Sequence, residues 1–187
     1  MPILNIQKNR LKKLAALKKA GVNPYPTKSA KTHEVQDVLT DFAKLTSDKT
    51  KVVLCGRIRS VREHGGLTFF HFEDETGALQ ALLNRDKIGV KKYQFFTDNF
   101  DIGDFIEVSG TLFTTKRGEK TIEVDDFRIL AKTLLPLPEK WHGLQDVEER
   151  FRKRYLDMIM NPEVKTKFRM RSKILEDLRK ILWANGF

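Results

Sequence analysis

Three phenylalanines and a histidine alternate within the segment LTFFHFED, a spacing suited to binding rather than to catalysis. Period-two alternation places Phe70 and Phe72 on one side of a strand, with Phe69 and His71 on the other. One side must fill a core, so the other presents an aromatic ring outward, where bases of a single-stranded nucleic acid can stack. Alternation alone leaves a second interpretation open, in which all three phenylalanines are core residues. The preceding run adds cationic hydrogen-bond donors at Arg57, Arg59 and Arg62.

Residues that could hold a metal ion or carry out hydrolysis are scattered along the chain. The histidines lack the spacing of a metal site: His33, His64, His71 and His142. The single Cys55 has no partner for a disulfide or a zinc ion, and its apolar neighbours predict a small buried residue. The acidic run Glu73-Asp74-Glu75 lies where a strand meets a turn, and acids favour such turns. No Walker loop, G-x-S-x-G or G-x-G-x-x-G occurs, so we expect neither catalytic residues nor a bound metal or cofactor.

Charge is distributed unevenly along the 187 residues, whose net charge is +10. Residues 1–50 hold 10 basic and 4 acidic side chains, residues 51–131 hold 12 and 13, and residues 132–187 hold 13 and 8. An electrostatic attraction to a polyanion would therefore come from the flanks, and the middle must recognise its partner by other means. Because neither a run of 18 apolar residues nor a signal peptide occurs, we expect a cytoplasmic protein without a membrane partner.

Two helices are predicted before residue 51. Between Asn5 and Gly21 lie six basic residues and no acid, among good helix formers, and Gly21 is a natural residue to follow a helix. Its apolar stripe is thin: Leu4, Leu11, Leu14 and Ala15. Two interpretations stay open, a basic helix lying along an RNA backbone and a solvated helix docked on the domain. A second helix, capped by Thr32, has a core-facing stripe at Val35, Val38, Leu39, Phe42 and Leu45.

From Lys51 the pattern changes to that of strands. Three β runs, KVVLCGRIRSVRE, LTFFHFED and ALQALLN, precede a helical segment with a weak point at Gly89, and FIEVSGTLF and KTIEVDDFRIL then form a hairpin. Gly56 within the first run predicts a bulge or a sharp bend. Three strands, a helix and a hairpin are the order of a five-stranded OB barrel, whose first strand serves both sheets. We therefore predict a mainly β, α+β chain with flanking helices.

The chain divides into four predicted parts. Residues 1–50 are a helical segment, 51–131 the barrel, 132–143 a linker with two closely spaced prolines, and 144–187 a helical extension. The last part has no core of its own and is expected to begin a further domain. Its apolar residues share one helical face: Phe168, Ile174, Leu175, Leu178, Ile181 and Leu182.

Longer stretches resemble a known family. The segment GRIRSVREHGGLTFFHFEDETGALQALLN is similar to the anticodon-binding barrel shared by lysyl-, aspartyl- and asparaginyl-tRNA synthetases. The LPLP linker, the HGL that follows it and the run RKRYLD resemble the lysine-specific family, as does the opening RLKKLAALKKAGVNPYP. In that family the middle uridine of the anticodon stacks on a phenylalanine, beside a glutamine and an arginine. Aligned on Gly77, the resemblance assigns these roles to Phe69, Gln80 and Arg62.

The resemblance also bears on what the 187 residues lack. The last helix resembles the dimer-forming helix of the first class II motif, which implies a homodimer contact through Phe168, Ile174, Leu178 and Ile181. The second and third motifs, which hold ATP, are absent, so we expect ATP and magnesium to serve the full-length enzyme and this chain alone to be inactive. Two alternatives are a free-standing OB module for single strands and an aspartyl or asparaginyl enzyme fragment.

Overall fold

Runs of alternating apolar residues form five strands that close into a barrel. The computed structural model describes residues 3–138 and 144–187, which divide into two units, 1–136 and 137–187. The strands are β1 (Val52–His64), β2 (Leu67–Glu73), β3 (Ala78–Asn84), β4 (Phe105–Thr114) and β5 (Lys120–Ala131). They lie in the ring order β1-β2-β3-β5-β4, with β3 and β5 parallel and the other pairs antiparallel. The predicted five-stranded barrel is confirmed.

Helices flank the barrel in the order that the sequence predicts. The first unit contains α1 (Ile3–Lys19), α2 (Val35–Thr40), α3 (Phe42–Ser47), α4 (Arg85–Ile88) and α5 (Val90–Asn99). The break between α4 and α5 falls at Gly89, whose φ of 88° lies in the left-handed region that glycine tolerates. The second unit contains α6 (Val147–Arg152), α7 (Arg154–Met160) and α8 (Pro162–Ala184). Among the described residues no helix is long and apolar enough to cross a membrane.

Strand β1 belongs to both halves of the barrel. Its first part, up to Arg57, pairs with β4, and its second part pairs with β2. Gly56 lies at this change of partner, where an added Cβ would come within 2.7 Å of the Glu73 carbonyl oxygen. Glycine therefore permits the close approach of β1 and β2. The register shift itself lies further on, between Ile58 and Ser60.

Inward-facing aromatic rings fill the barrel. Phe70 and Phe72 are fully buried, and α5 contributes Phe96, followed by Phe100 at its C-cap. The ring centroids of Phe70 and Phe96 lie 5.1 Å apart, and those of Phe96 and Phe100 lie 4.9 Å apart. Contacts of this kind stabilise beyond the area that they bury.

The buried side of α1 differs from the predicted stripe. Leu4 and Leu11 are exposed, whereas Arg10 and Leu17 are buried. The Arg10 guanidinium donates to the carbonyl oxygens of Ile102 and Leu135 at 2.9 and 2.8 Å. Docking thus depends on a polar partner that a hydrophobic pattern cannot reveal. The predicted end at Gly21 is confirmed, since the Gly21 and Val22 amides donate back to α1.

The second predicted helix is two short helices, and its cap is not Thr32. Glu34 caps α2, while Thr32 exchanges hydrogen bonds with Val53 of β1. The helical path breaks at Asp41, between α2 and α3. The predicted core stripe is nevertheless confirmed. Val35, Val38 and Phe42 are buried, and Leu39 and Leu45 are partly buried against the same core.

A buried ion cluster fixes the chain directly after β5. The Lys132 ammonium, which is inaccessible to solvent, lies 2.7 Å from Asp104 and 2.8 Å from the Asn99 carbonyl oxygen. Thr133 donates its amide and its hydroxyl to the other oxygen of Asp104. Burial favours the neutral form of the Asp101 carboxyl, but hydrogen bonds and charges from Lys13 and Lys132 lower its pKa. The first residues after the barrel are therefore held to it, up to the unit boundary.

The second unit is organised around a buried aspartate. Asp157, inaccessible to solvent, accepts hydrogen bonds from Arg150, Arg154 and Asn161. Helix α8 carries the predicted apolar face, and these side chains are exposed by 37% to 60%: Phe168, Ile174, Leu175, Leu178, Ile181 and Leu182. The described part of the unit thus leaves this face uncovered.

Candidate nucleic-acid interface

Burial decides the alternation along β2. Phe70 and Phe72 are 1% and 0% exposed, whereas Phe69 and His71 are half-buried on the outer side. Phe70 and Phe72 must occupy the barrel, because α5 and the inward residues of β3 pack against them. Phe69 is thus the phenylalanine of β2 that faces outward.

The three residues that the resemblance selects lie on one face. In the strand register Arg62 of β1 is opposite Phe69, and Gln80 of β3 is opposite His71. Directly paired residues of antiparallel strands point to the same side, with Cβ atoms about 5 Å apart. Arg62, Phe69, His71 and Gln80 together are called the β1–β3 face below.

Gln80 is held rather than free. Its side chain is 5% exposed, and its Nε2 donates to the Thr121 hydroxyl at 2.8 Å. That hydroxyl donates in turn to the Glu119 carbonyl oxygen at 3.1 Å. The network assigns the amino side of the amide to Thr121 and leaves the carbonyl oxygen as a hydrogen-bond acceptor.

Alternation predicts His71 on this face beside Phe69, whereas two further residues, Glu119 and Thr121, were not predicted from the sequence. His71 lies 2.7 Å through its Nε2 from the Glu119 carboxylate, and its Nδ1 lies 3.2 Å from the Ser60 hydroxyl. Glu119 ends the β4–β5 turn and Thr121 lies in β5, and only the parallel pairing of β3 with β5 brings them to this face.

The arginines of β1 have separate roles. The Arg57 guanidinium stacks on Phe105 at 4.2 Å and donates to the Gly103 carbonyl oxygen, so both contacts are made with the protein itself. Burial and the neighbouring charge of Arg59 lower the pKa of Arg57. Arg59 lies 3.4 Å from Glu73. Arg62 is exposed, and it is the arginine of β1 that can reach outward from the β1–β3 face.

The other chemically suggestive residues are structural. Burial and the carboxylate of Glu107 raise the pKa of the half-buried Cys55 to about 11, so the thiol stays protonated at neutral pH. Asp74 accepts hydrogen bonds from the amides of Val35, Thr76 and Gly77, as its turn position predicts. Within residues 3–138 and 144–187 no cluster of His, Cys, Asp or Glu could hold a metal ion.

Comparison with known proteins agrees with this geometry. Residues 52–130 match the tRNA anti-codon family, described as an OB-fold nucleic acid binding domain. The chain is 45% identical over 188 residues to a lysine–tRNA ligase of Roseiflexus sp. strain RS-1 and 46% identical over 180 residues to that of Carboxydothermus hydrogenoformans. These matches cover 100% and 96% of the chain but 38% and 36% of the relatives. Residues 52–130 are therefore similar to the OB-fold anticodon-binding family, and the chain along its length is similar to a little more than a third of these lysine–tRNA ligases.

Proposed function

We propose that the chain binds the anticodon stem-loop of a lysine tRNA through the β1–β3 face and reads the middle uridine there. The observation that carries this proposal is the placement of Arg62, Phe69 and Gln80 side by side on three adjacent strands. An OB barrel binds single-stranded nucleic acid on this surface. The unpaired bases of an anticodon loop offer both stacking faces and free edges.

Phe69 supplies affinity without selectivity. Its ring is half-exposed on a rigid strand, and every base has a face that can stack on it. Arg62, directly opposite in the register, places a guanidinium beside the stacked base or its phosphate. These two side chains hold a base without deciding which base it is.

Gln80 supplies the selectivity. The bond to Thr121 leaves its carbonyl oxygen as an acceptor, which suits the N3–H donor of uracil. Cytosine carries an acceptor at N3, so the same oxygen would meet an unpaired lone pair and the complex would lose a buried hydrogen bond. A held amide next to a stacking ring also argues against the free-standing module that binds single strands without preference.

The relatives named lysine–tRNA ligases suggest a larger context, which we also propose. In it the chain is a portion of a cytoplasmic homodimeric ligase, and the exposed face of α8 is the dimer contact through Phe168, Ile174, Leu178 and Ile181. ATP and magnesium would bind outside the residues that the structure describes. Purified chain should show no lysine-dependent ATP–pyrophosphate exchange, because the second and third class II motifs are absent from its sequence.

The function is tested by the affinity of the chain for anticodon stem-loops that differ in the middle base alone. We expect the tightest binding with uridine and weaker binding with cytidine. One lost hydrogen bond of this kind costs about 1–3 kcal/mol. Equal affinity for all four bases would favour the nonselective module instead.

A further inference from the structure

Two outward-facing residues of the barrel are unexpectedly inaccessible. Gln80 of β3 and Thr121 of β5 pair in register on the outer side, yet they are 5% and 0% exposed. A base that hydrogen-bonds to the Gln80 amide needs more room than this surface offers. Part of the chain must therefore shield the amide when no RNA is bound.

A hydrogen bond between non-neighbouring strands crosses this site. His71 belongs to β2, Glu119 precedes β5, and β3 lies between them. Gln80 pairs with Thr121 in the parallel register, so Glu119 is level with Ala78. The 2.7 Å bond from His71 to Glu119 thus passes over β3 between Ala78 and Gln80. The methyl side chain of Ala78 leaves space for it.

The two ends of this bond are themselves fixed. An ionised carboxylate can only accept, so the His71 Nε2 carries a proton toward Glu119, while the Nδ1 lies 3.2 Å from the Ser60 hydroxyl. At the other end, the Glu119 amide donates to the Thr115 hydroxyl, and the Glu119 carbonyl oxygen accepts from the Thr115 amide at 3.0 Å. The β4–β5 turn is therefore closed by its own hydrogen bonds.

We propose that His71 is a positioning residue that holds the β4–β5 turn over Gln80, and that a base reaches the amide only after the His71–Glu119 bond opens. This inference rests on the proposed function of the β1–β3 face. The apparent affinity for RNA is the affinity of the open state multiplied by the fraction of molecules that are open. Because every base must displace the same bond, this cost is equal for uridine and cytidine, and discrimination between them depends on Gln80.

The RNA-free protein provides the first test. Hydrogen exchange of the Gln80 side-chain amide, followed by NMR, should be faster in His71→Ala than in the unmodified chain. His71→Gln keeps an N–H donor for Glu119 and should restore slow exchange. Glu119→Ala removes the other partner of the bond from a half-exposed position, and the Gln80 amide should exchange faster in it too. This variant therefore provides the test if His71→Ala folds poorly. Equal exchange in all four proteins would overturn the proposal.

Association with the uridine-containing stem-loop provides the second test. His71→Ala should bind about two- to tenfold faster, the factor that opening one net hydrogen bond supplies, and its discrimination against cytidine should be unchanged. Slower or weaker binding by His71→Ala would mean that the imidazole contacts RNA itself, and the proposal would fail. If the unmodified chain binds no stem-loop, the proposed function fails, while the exchange measurement still decides whether the turn shields Gln80.

Discussion

The barrel has two outer faces built from the same sheet, and the chain covers one of them far more completely. On one side Cys55, Glu107 and Arg128 form a row across β1, β4 and β5, called the β4 face here. Arg128 holds Glu107 through two nitrogens, at 2.6 and 3.0 Å. The segment 28–33 lies over this row, with the Ala30 amide 2.7 Å from Glu107 and the Lys28 carbonyl oxygen 3.0 Å from Arg128.

On the β1–β3 face some side chains are held by the protein and others are left exposed. Its hydrogen bonds hold Gln80 and His71, but Arg62 is exposed and Phe69 keeps part of its ring in solvent. On the β4 face each charge is matched by the protein's own groups, so no partner is needed there. Barrel geometry alone does not create a binding surface. An exposed cation and ring beside an oriented amide distinguish the face that we propose to bind RNA.

The largest effect is expected from the inner side of β2. Phe70→Ala should open a cavity and lower the free energy of unfolding by about 3–5 kcal/mol, because the ring is fully buried against Phe96. Phe69→Ala, on the same strand but outward, should cost much less. Chemical denaturation of both variants checks this. Similar losses would mean that the inside and outside of β2 are wrongly assigned.

In RNA binding, Phe69→Ala is the variant expected to have a direct effect. Phe69→Ala should weaken stem-loop binding by about 1–3 kcal/mol, since one stacking platform is lost. Phe69→Tyr keeps the ring and serves as the matched control, with affinity close to that of the unmodified chain. Titration of a labelled stem-loop measures both. An affinity of Phe69→Ala equal to that of Phe69→Tyr would remove the stacking role.

The attachment of the start of α2 to the turn after β2 should weaken in acid. Burial alone would raise the pKa of Asp74, but hydrogen bonds from Val35, Thr76 and Gly77 lower it to about 2. The ordinary value is about 3.9, so the carboxylate stabilises the fold fully above that pH and loses this effect as the pH falls toward 2. After allowance for solvent screening we expect about 1–2 kcal/mol.

Denaturation midpoints between pH 5 and pH 2 check this expectation. Asp74→Asn should be less stable at neutral pH and should lose less stability in acid. Asp98→Asn, an exposed change on α5, is the control and should follow the unmodified chain. An Asp74→Asn curve parallel to that of the unmodified chain would show that Asp74 carries no such contribution.

The smallest effect concerns the outward side of α1. Arg10 and Lys13 are used for docking, whereas Lys8 and Lys12 are exposed. If these two lysines contact phosphates, Lys8→Ala/Lys12→Ala should reduce the slope of log affinity against log salt by about 0.7–0.9 for each lysine. The anticodon preference should not change.

An equal loss of charge elsewhere controls for net charge. Lys44→Ala/Lys91→Ala removes two other exposed lysines of the first unit and should leave the slope nearly unchanged. Identical slopes for the two double variants would leave α1 as a docked structural helix, the second of the two interpretations that its sequence allows.

Much of the fold could be predicted because it follows local periodicity. The order of the strands, the break at Gly89 and the end of α1 at Gly21 are each encoded within a few residues. The docking of α1 could not be predicted, since Arg10 depends on carbonyl oxygens more than 90 residues away. Thr32 likewise has the residue type of a cap, but its pairing with Val53 prevails.

The candidate site divides in the same way. The outward position of Phe69 follows from period-two alternation once one face is known to be buried. The burial of Gln80 cannot be predicted from alternation, because it requires Thr121 and Glu119. Only closure of the barrel brings these two residues beside β3. Sequence patterns therefore identify the strands of the β1–β3 face, whereas long-range pairing determines how its amide is held.

The selectivity of Gln80 tests the central claim most directly. The measurement is the ratio of affinities for stem-loops with uridine and cytidine at the middle position, in the unmodified chain and in Gln80→Ala. We predict a clear preference for uridine that falls close to one in Gln80→Ala, with overall affinity retained through Phe69. A preference for uridine that survives unchanged in Gln80→Ala would contradict the assignment of the β1–β3 face as the surface that reads the base.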